Sequence, residues 1–294
     1  MSHKLLGAIL FLTAILLFAV LDATAKHLTA YFAVPLIVWA RYAVHLLIML
    51  VGVAPRMGRA IVVTQRPWLM TLRGAMLASA TTLVFLAFRA LPLAETTALL
   101  YLSPLLVALL AGPLLGEKVG LASWLATFAG FGGVLLIARP GGAMTGAGLA
   151  YALCAALCYA LYQILTRKLS ASEPAMRQLF YTALVGAVAT SLALPLYWTG
   201  VLPTPGQALL ILSLGCYGGL GHYLLIRSFQ ETPASTLSPL LYVQMVWAVL
   251  LGWIVFGHLP DLPTALGMLI IGVSCLSLAL RQARAETRDR PPAP

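Results

Sequence analysis

The decapeptide Pro92-Leu93-Ala94-Glu95-Thr96-Thr97-Ala98-Leu99-Leu100-Tyr101 returns 141 residues later as Pro233-Ala234-Ser235-Thr236-Leu237-Ser238-Pro239-Leu240-Leu241-Tyr242. The leading proline and the closing Leu-Leu-Tyr coincide. The same offset puts Gly7 on Gly148, Gly74 on Gly215, Phe88 on Phe229, Gly116 on Gly257, Leu121 on Leu262 and the cationic Lys26 on Arg167. Apolar coincidences carry little weight in an apolar chain, so the Pro, Gly and Tyr matches decide. Self-similarity at a fixed period is the mark of a duplicated unit. The duplication divides the chain into residues 1–141 and 142–281, followed by a polar tail, 282–294, whose composition predicts disorder.

Composition fixes the solvent of this repeat. Of 294 residues, 61% are apolar and 9% charged, against about 25% charged in soluble domains. A water-soluble fold is excluded. A helix needs about 20 apolar residues to cross the hydrocarbon core. Ten such stretches lie near 5–25, 34–53, 70–88, 93–115, 121–138, 147–166, 176–198, 205–226, 234–256 and 262–280. They are too long and too continuous for the strands of a membrane barrel, which predicts an all-α integral membrane protein with ten transmembrane helices. The first stretch lacks a small-residue cleavage site and runs into Asp22 and Lys26, so it reads as a retained helix.

The net charge of +10 is distributed between the stretches and forms no patch, so it does not point to nucleic acid. It reports orientation instead. Lys26, Arg89 and Arg139 fall on one side and Arg41 inside the second stretch. The remaining Lys and Arg, Arg73 among them, fall on the side of both termini, which positive-inside bias makes cytoplasmic. Each half then holds an odd number of crossings, so equivalent helices run in opposite directions. Inverted repeats are a recurring architecture of secondary transporters, with the substrate near the midplane between the halves. One chain contains both halves, so a monomer suffices, with a small-molecule substrate and the lipid bilayer as its partners.

No Gly-rich nucleotide loop with a Lys is present, so direct ATP drive is not expected. Cys154, Cys158, Cys216 and Cys275 lie inside apolar stretches and read as small packing residues. No metal or cofactor is expected. An intramembrane lipid-modifying enzyme would need a nucleophile or metal cluster at depth, and a sensor would need a soluble output domain. Neither is in the sequence.

Pro92 with Gly116-Glu117, Pro233 with Gly257-His258, and the run Leu93 to Ala98 through Gly116-Glu117-Lys118 resemble the EamA-type members of the drug/metabolite transporter superfamily. Within it the chain is similar to the YddG-type aromatic amino-acid exporters. That resemblance implies a multi-pass bacterial inner-membrane protein that exports small amphipathic metabolites, chiefly aromatic and other apolar amino acids, by alternating access. Drugs, nucleosides or sugar-like metabolites are the alternative cargo. It also implies a central cavity lined by stretches one, three, four, six, eight and nine. His258 stands where the repeat has Glu117, a departure from symmetry between the halves.

Ionisable groups at membrane depth face a cavity or a partner. Asp22 and Arg41 read either as a mutual ion pair or as substrate and gating contacts. Glu95, whose counterpart Thr236 is neutral, reads as a complement to a helix dipole or as a coupling group, with Arg89 a candidate partner. His222, in a segment with four nearby glycines, reads as a packed histidine or a substrate ligand. Ser79 and Thr82 bond substrate or their own backbone. The deep aromatics Tyr101, Tyr242, Tyr159 and Trp247, with Gln163, suit an amphipathic organic substrate or plain packing. Pro104 and Pro239 interrupt stretches four and nine, which are expected to be the moving helices.

Overall fold

The computed structural model describes residues 3–115, 121–138, 146–170, 172–197, 200–231 and 237–288. The Gly116-Glu117-Lys118 segment, Arg139, Pro233 and Thr236 lie outside the described residues, as do 289–294. The described part is helical, with no strand. Its α-helices are α1 (His3–Leu28), α2 (Val34–Gly52), α3 (Ala54–Met57), α4 (Pro67–Ala90), α5 (Leu93–Leu100), α6 (Ser103–Leu115) and α7 (Leu121–Ala138), then α8 (Gly146–Ser170), α9 (Ala175–Tyr197), α10 (Pro205–Glu231), α11 (Val243–Phe256) and α12 (Leu262–Arg288). Two 3-10 segments, Gly58–Ile61 and Ser238–Tyr242, complete the path.

Seven of the described helical stretches are long and apolar enough to cross a membrane, and three shorter apolar ones fall at Trp124–Ala138, Leu240–Phe256 and Leu262–Ser277. Prolines start several of them: α2, α4 and α10 carry Pro35, Pro67 and Pro205 in their first turn, where a missing N–H costs nothing. Stretch four is broken, as its proline suggests. Pro104 lacks an N–H for Leu100, and the helix ends there and restarts at Ser103. Stretch nine is tightened into 3-10 geometry around Pro239. At the other end, α12 continues through Arg288. Gln, Ala, Arg and Glu are strong helix formers, and they propagate a helix already nucleated by the apolar part of α12.

Lipid tails are as apolar as leucine, so close packing and small residues must hold such helices together. At the crossing of α7 and α12 two glycines bring the backbones together. A Cβ on Gly133 would sit 2.7 Å from the Gly267 carbonyl oxygen, and one on Gly267 would sit 2.6 Å from that of Gly133. Elsewhere α1 packs along α10 and α8 along α4, α2 packs on α9 and α10, and α4 on α9. One buried cluster runs from Leu21 to Phe88 through Ile37 and Tyr42, and a second gathers Leu99, Leu102 and Leu105 with Ile271. Beside these clusters the bundle leaves a mostly apolar cavity into which a few polar side chains face.

Candidate functional site

The cavity holds about 190 Å³. Its wall is built by helix phase. On α4, Leu77, Ala80, Thr81 and Val84 line it, the i, i+3, i+4, i+7 stripe of one helix face. Ser79 and Thr82 fall off that stripe and do not line it, and the Thr82 hydroxyl donates to the Ala78 carbonyl. Thr81 faces the cavity instead, a placement that polarity read without helix phase does not reveal.

From α1 come Phe18 and Asp22, from α2 Arg41, and from α8 Tyr159 and Gln163. His222 of α10, Leu241 of the 3-10 segment and Gln244 of α11 close the other side. The broken helix adds Thr97, Tyr101, Ser103 and Pro104. Seven of the sequence candidates therefore share one cavity: Asp22, Arg41, Tyr101, Pro104, Tyr159, Gln163 and His222. Arg41 brings in the second stretch beyond the six that the resemblance implied.

Asp22 and Arg41 face this space without pairing with each other. Asp22 Oδ2 accepts from Gln244 Nε2 at 3.3 Å. The Arg41 guanidinium donates to Thr81 Oγ1 at 3.0 Å, which also bonds the Tyr42 hydroxyl at 2.9 Å. It lies 5.6 and 5.8 Å from the ring centroids of Tyr42 and Phe85, within cation–π range.

His222 stands where α10 approaches α1. A Cβ at Gly221 would meet the Phe18 ring at 2.7 Å, so only glycine admits this contact. The imidazole then packs against Phe18 (centroids 4.9 Å) and stacks on His45 (6.3 Å, 10° between planes).

The two interrupted helices meet at Tyr101. Its hydroxyl donates to the Leu241 carbonyl at 2.7 Å, and its ring lies 5.6 Å from that of Tyr242. Its own carbonyl, freed by the break, accepts from Cys275 Sγ of α12 at 3.0 Å. Tyr242 thus supports Tyr101 from outside the cavity wall. Trp247 packs with Phe11, Ile15 and Leu237, away from the cavity.

Glu95 also lies outside this cavity. It is buried, and its Oε1 lies 3.1 Å from Nε2 of His258. A left-handed turn at Gly257 (φ 65°) sends the His258 N–H back to the Gly252 carbonyl and brings the imidazole to Glu95. The two ionisable departures from the repeat therefore touch, where Arg89 is the candidate partner in the sequence. Nearby, Lys26 Nζ donates to the Phe88 and Leu91 carbonyls, both at 2.7 Å, satisfying groups at the end of α4. Arg89 is exposed, and with Lys26 and His258 it lines a separate pocket there.

Sequence reasoning missed Arg73, assigning it to a charged loop end. It is 3% exposed, inside α4, and four of its five N–H groups are bonded by α8 and α9. The signal was present as two polar pairs at i, i+4 on apolar helices, Tyr162/Thr166 and Gln178/Thr182. Among the described residues, no cluster of three metal-ligating side chains occurs.

A helical membrane bundle with a small cavity walled in part by two interrupted helices is the architecture of solute carriers. The EamA-like transporter family model matches residues 5–139 and again 146–280, and the chain belongs to that family, within the drug/metabolite transporter superfamily. It is similar to the S-adenosylmethionine uptake transporter of Rickettsia bellii, 27% identical over 79% of this chain and 79% of that one. The riboflavin transporter of Vibrio cholerae is 29% identical over 98% and 97% of the two chains, and the pseudopaline exporter of Pseudomonas aeruginosa 29% over 93% and 95%. A solved crystal structure shares the fold, with TM-score 0.67 and 22% identity over 95% of this chain and 98% of that one. These relatives are small-molecule transporters.

Proposed function

We propose that this chain is a secondary transporter that carries α-amino acids with aromatic or other apolar side chains across the inner membrane by alternating access. It exports them when the cytoplasmic concentration is the higher. The observation that carries this reading is the unpaired placement of Asp22 and Arg41 on one aromatic-walled cavity. A carboxylate suits a substrate ammonium, and a guanidinium recognises a carboxylate through its planar fork. Phe18, Tyr101 and Tyr159 offer the apolar surface for a side chain.

Size argues in the same direction. A cavity of about 190 Å³ is smaller than the roughly 300–1,000 Å³ of pockets that enclose drug-sized ligands. It favours an amino acid over the bulkier riboflavin named for one relative.

The topology proposed is ten crossings in two inverted five-helix halves with both termini cytoplasmic. The double family match supports it. So does the packing: shifting by 141 residues exchanges the α1–α10 contact with α8–α4, α2–α10 with α9–α4, and α1–α11 with α8–α6, all of which occur. Rocking one half against the other around the cavity would expose it to each side in turn.

The test is uptake of radiolabelled phenylalanine, tyrosine, methionine and threonine into proteoliposomes, with and without a pH gradient. Saturable uptake of phenylalanine, abolished by Arg41→Gln, is the expected result. No uptake of any amino acid by folded protein overturns the substrate class and directs attention to drugs, nucleosides and sugars.

A further inference from the structure

Among the described residues, Arg73 is the least exposed lysine or arginine, and it does not line the cavity. Arg73 is 3% exposed. Its Nε donates to Thr166 Oγ1 at 2.7 Å, one terminal nitrogen to Thr182 Oγ1 (2.7 Å) and the Gln178 carbonyl (2.9 Å), and the other to the Tyr162 hydroxyl (2.9 Å). The guanidinium also lies 4.5 Å from the centroid of the Tyr162 ring. Thr166 and Thr182 donate their own protons to the carbonyls of Tyr162 and Gln178, so their oxygen lone pairs are turned toward Arg73. One side chain of α4 thereby grips α8 and α9 together.

Every one of these partners is neutral. A buried guanidinium held by a carboxylate resists separation, because parting them leaves an uncompensated charge, and a purely static tie is made more cheaply by apolar side chains of similar volume. Neutral acceptors behave differently. When the helices part, water replaces each acceptor and the cation recovers hydration, so the hydrogen bonds lost are offset by the desolvation regained. Such a joint is firm when dry and separable when wet.

Its position couples it to the cavity. Tyr162 stacks on Tyr159 with centroids 5.6 Å apart and 22° between planes, and Tyr159 walls the cavity. The joint lies at the end of the bundle that carries Glu173 and Arg177, the end that charge bias assigns to the cytoplasm.

We propose that Arg73 is a positioning residue for transport, the clasp that closes the cytoplasmic half of the pathway by drawing α8 and α9 onto α4. This rests on the alternating-access reading above. Contact of substrate with Tyr159 reaches the clasp through Tyr162, and release of the guanidinium opens the path inward.

The test uses the full chain reconstituted in liposomes or held in detergent, as wild type, Arg73→Gln, Arg73→Lys and Tyr162→Phe. Three quantities are read: the initial rate of phenylalanine uptake, the phenylalanine dissociation constant, and hydrogen–deuterium exchange by segment without substrate. For Arg73→Gln the uptake rate falls by about tenfold or more and the dissociation constant moves by less than about twofold. Exchange rises in residues 160–170 and 175–185 and is unchanged in 86–100. Arg73→Lys, a point charge without a fork, falls between. Tyr162→Phe keeps the ring, removes one acceptor and shifts all readouts the same way by less, which decides the matter if Arg73→Gln does not fold. Unchanged exchange and rate, or exchange raised uniformly through the bundle, overturns the clasp. If wild type binds no phenylalanine the amino-acid reading fails, yet the exchange measurements still decide the clasp.

Discussion

The hydroxyl of Tyr101, at the break between α5 and α6, donates to the carbonyl of Leu241 at 2.7 Å, and this single bond ties the interrupted helix of the first half to the 3-10 segment of the second. Each break frees backbone carbonyls that lipid cannot satisfy. Here a side chain from one break satisfies the other. Tyr101→Phe keeps the ring against Tyr242 and leaves the Leu241 carbonyl with the Val243 N–H alone, a cost of about 0.5–1.5 kcal/mol. The expected result is a lower melting temperature and slower uptake. Tyr242→Phe, whose hydroxyl does not bridge the breaks, is expected to have the smaller effect on both.

The α7–α12 crossing gives a contrast between neighbouring glycines. A methyl at Gly133 would meet the Gly267 carbonyl oxygen at 2.7 Å, whereas one at Gly132 would meet nothing within 4 Å. Gly133→Ala must separate two backbones and is expected to destabilise by about 1–3 kcal/mol. Gly132→Ala is expected to stabilise slightly, by roughly 0.5–1 kcal/mol, through helix propensity. Thermal unfolding in detergent measures both, and equal effects would contradict the close approach.

Glu95 and His258 join α5 to the turn after α11, across the two halves. The imidazole is 47% exposed and the carboxylate 5%, so the pair is screened on one side and its coupling is expected to be modest, about 0.5–1 kcal/mol. A double-mutant cycle with Glu95→Gln and His258→Gln reads it from melting temperatures. A coupling indistinguishable from zero shows that the two do not interact in solution.

Outside the membrane, Glu173 closes a second polar joint. Burial alone would raise its carboxyl, but hydrogen bonds from Thr64 and Arg177 and the charge of Arg177 outweigh that and hold it below its ordinary value of 4.5. Arg177 contacts it at 2.6 Å and also donates to the Ala60 carbonyl at 2.7 Å, while the Tyr181 hydroxyl donates to Val62. The loop between α2 and α4 is thus pinned to α9. Because the folded value is depressed, this contribution is fully present above the unfolded value and is lost as pH falls through the lower, folded one. Melting temperature is expected to drop below about pH 4.5 in wild type, less steeply in Glu173→Gln.

The long helices were legible because hydropathy and length alone define them in a bilayer, and the breaks were legible from Pro104 and Pro239. The cavity was half legible. Charge at depth singled out Asp22, Arg41 and His222, because burying charge demands a reason. That Ser79 and Thr82 fall off the cavity face was not legible, because the phase of α4 is visible only once Leu77, Ala80, Thr81 and Val84 are known to share the cavity. Arg73 was hidden by its nearness to a helix end: three residues into a stretch taken from residue 70 it counts with the cytoplasmic charges, while the helix start at Pro67 puts it nearly two turns inside. The meeting of Glu95 with His258 was beyond reach, since it depends on the left-handed turn at Gly257 and on how the halves pack.

The most direct measurement of the central claim is isothermal titration of the purified chain with phenylalanine, its amide and 3-phenylpropionate. In wild type, phenylalanine binds and both analogues, each lacking one charge or the other chemical end, bind at least about tenfold more weakly. In Asp22→Asn, phenylpropionate binds as well as phenylalanine, and in Arg41→Gln the amide does. Analogues that bind wild type as tightly as phenylalanine, or variants that keep the wild-type order, would contradict recognition of an amino-acid zwitterion between Asp22 and Arg41.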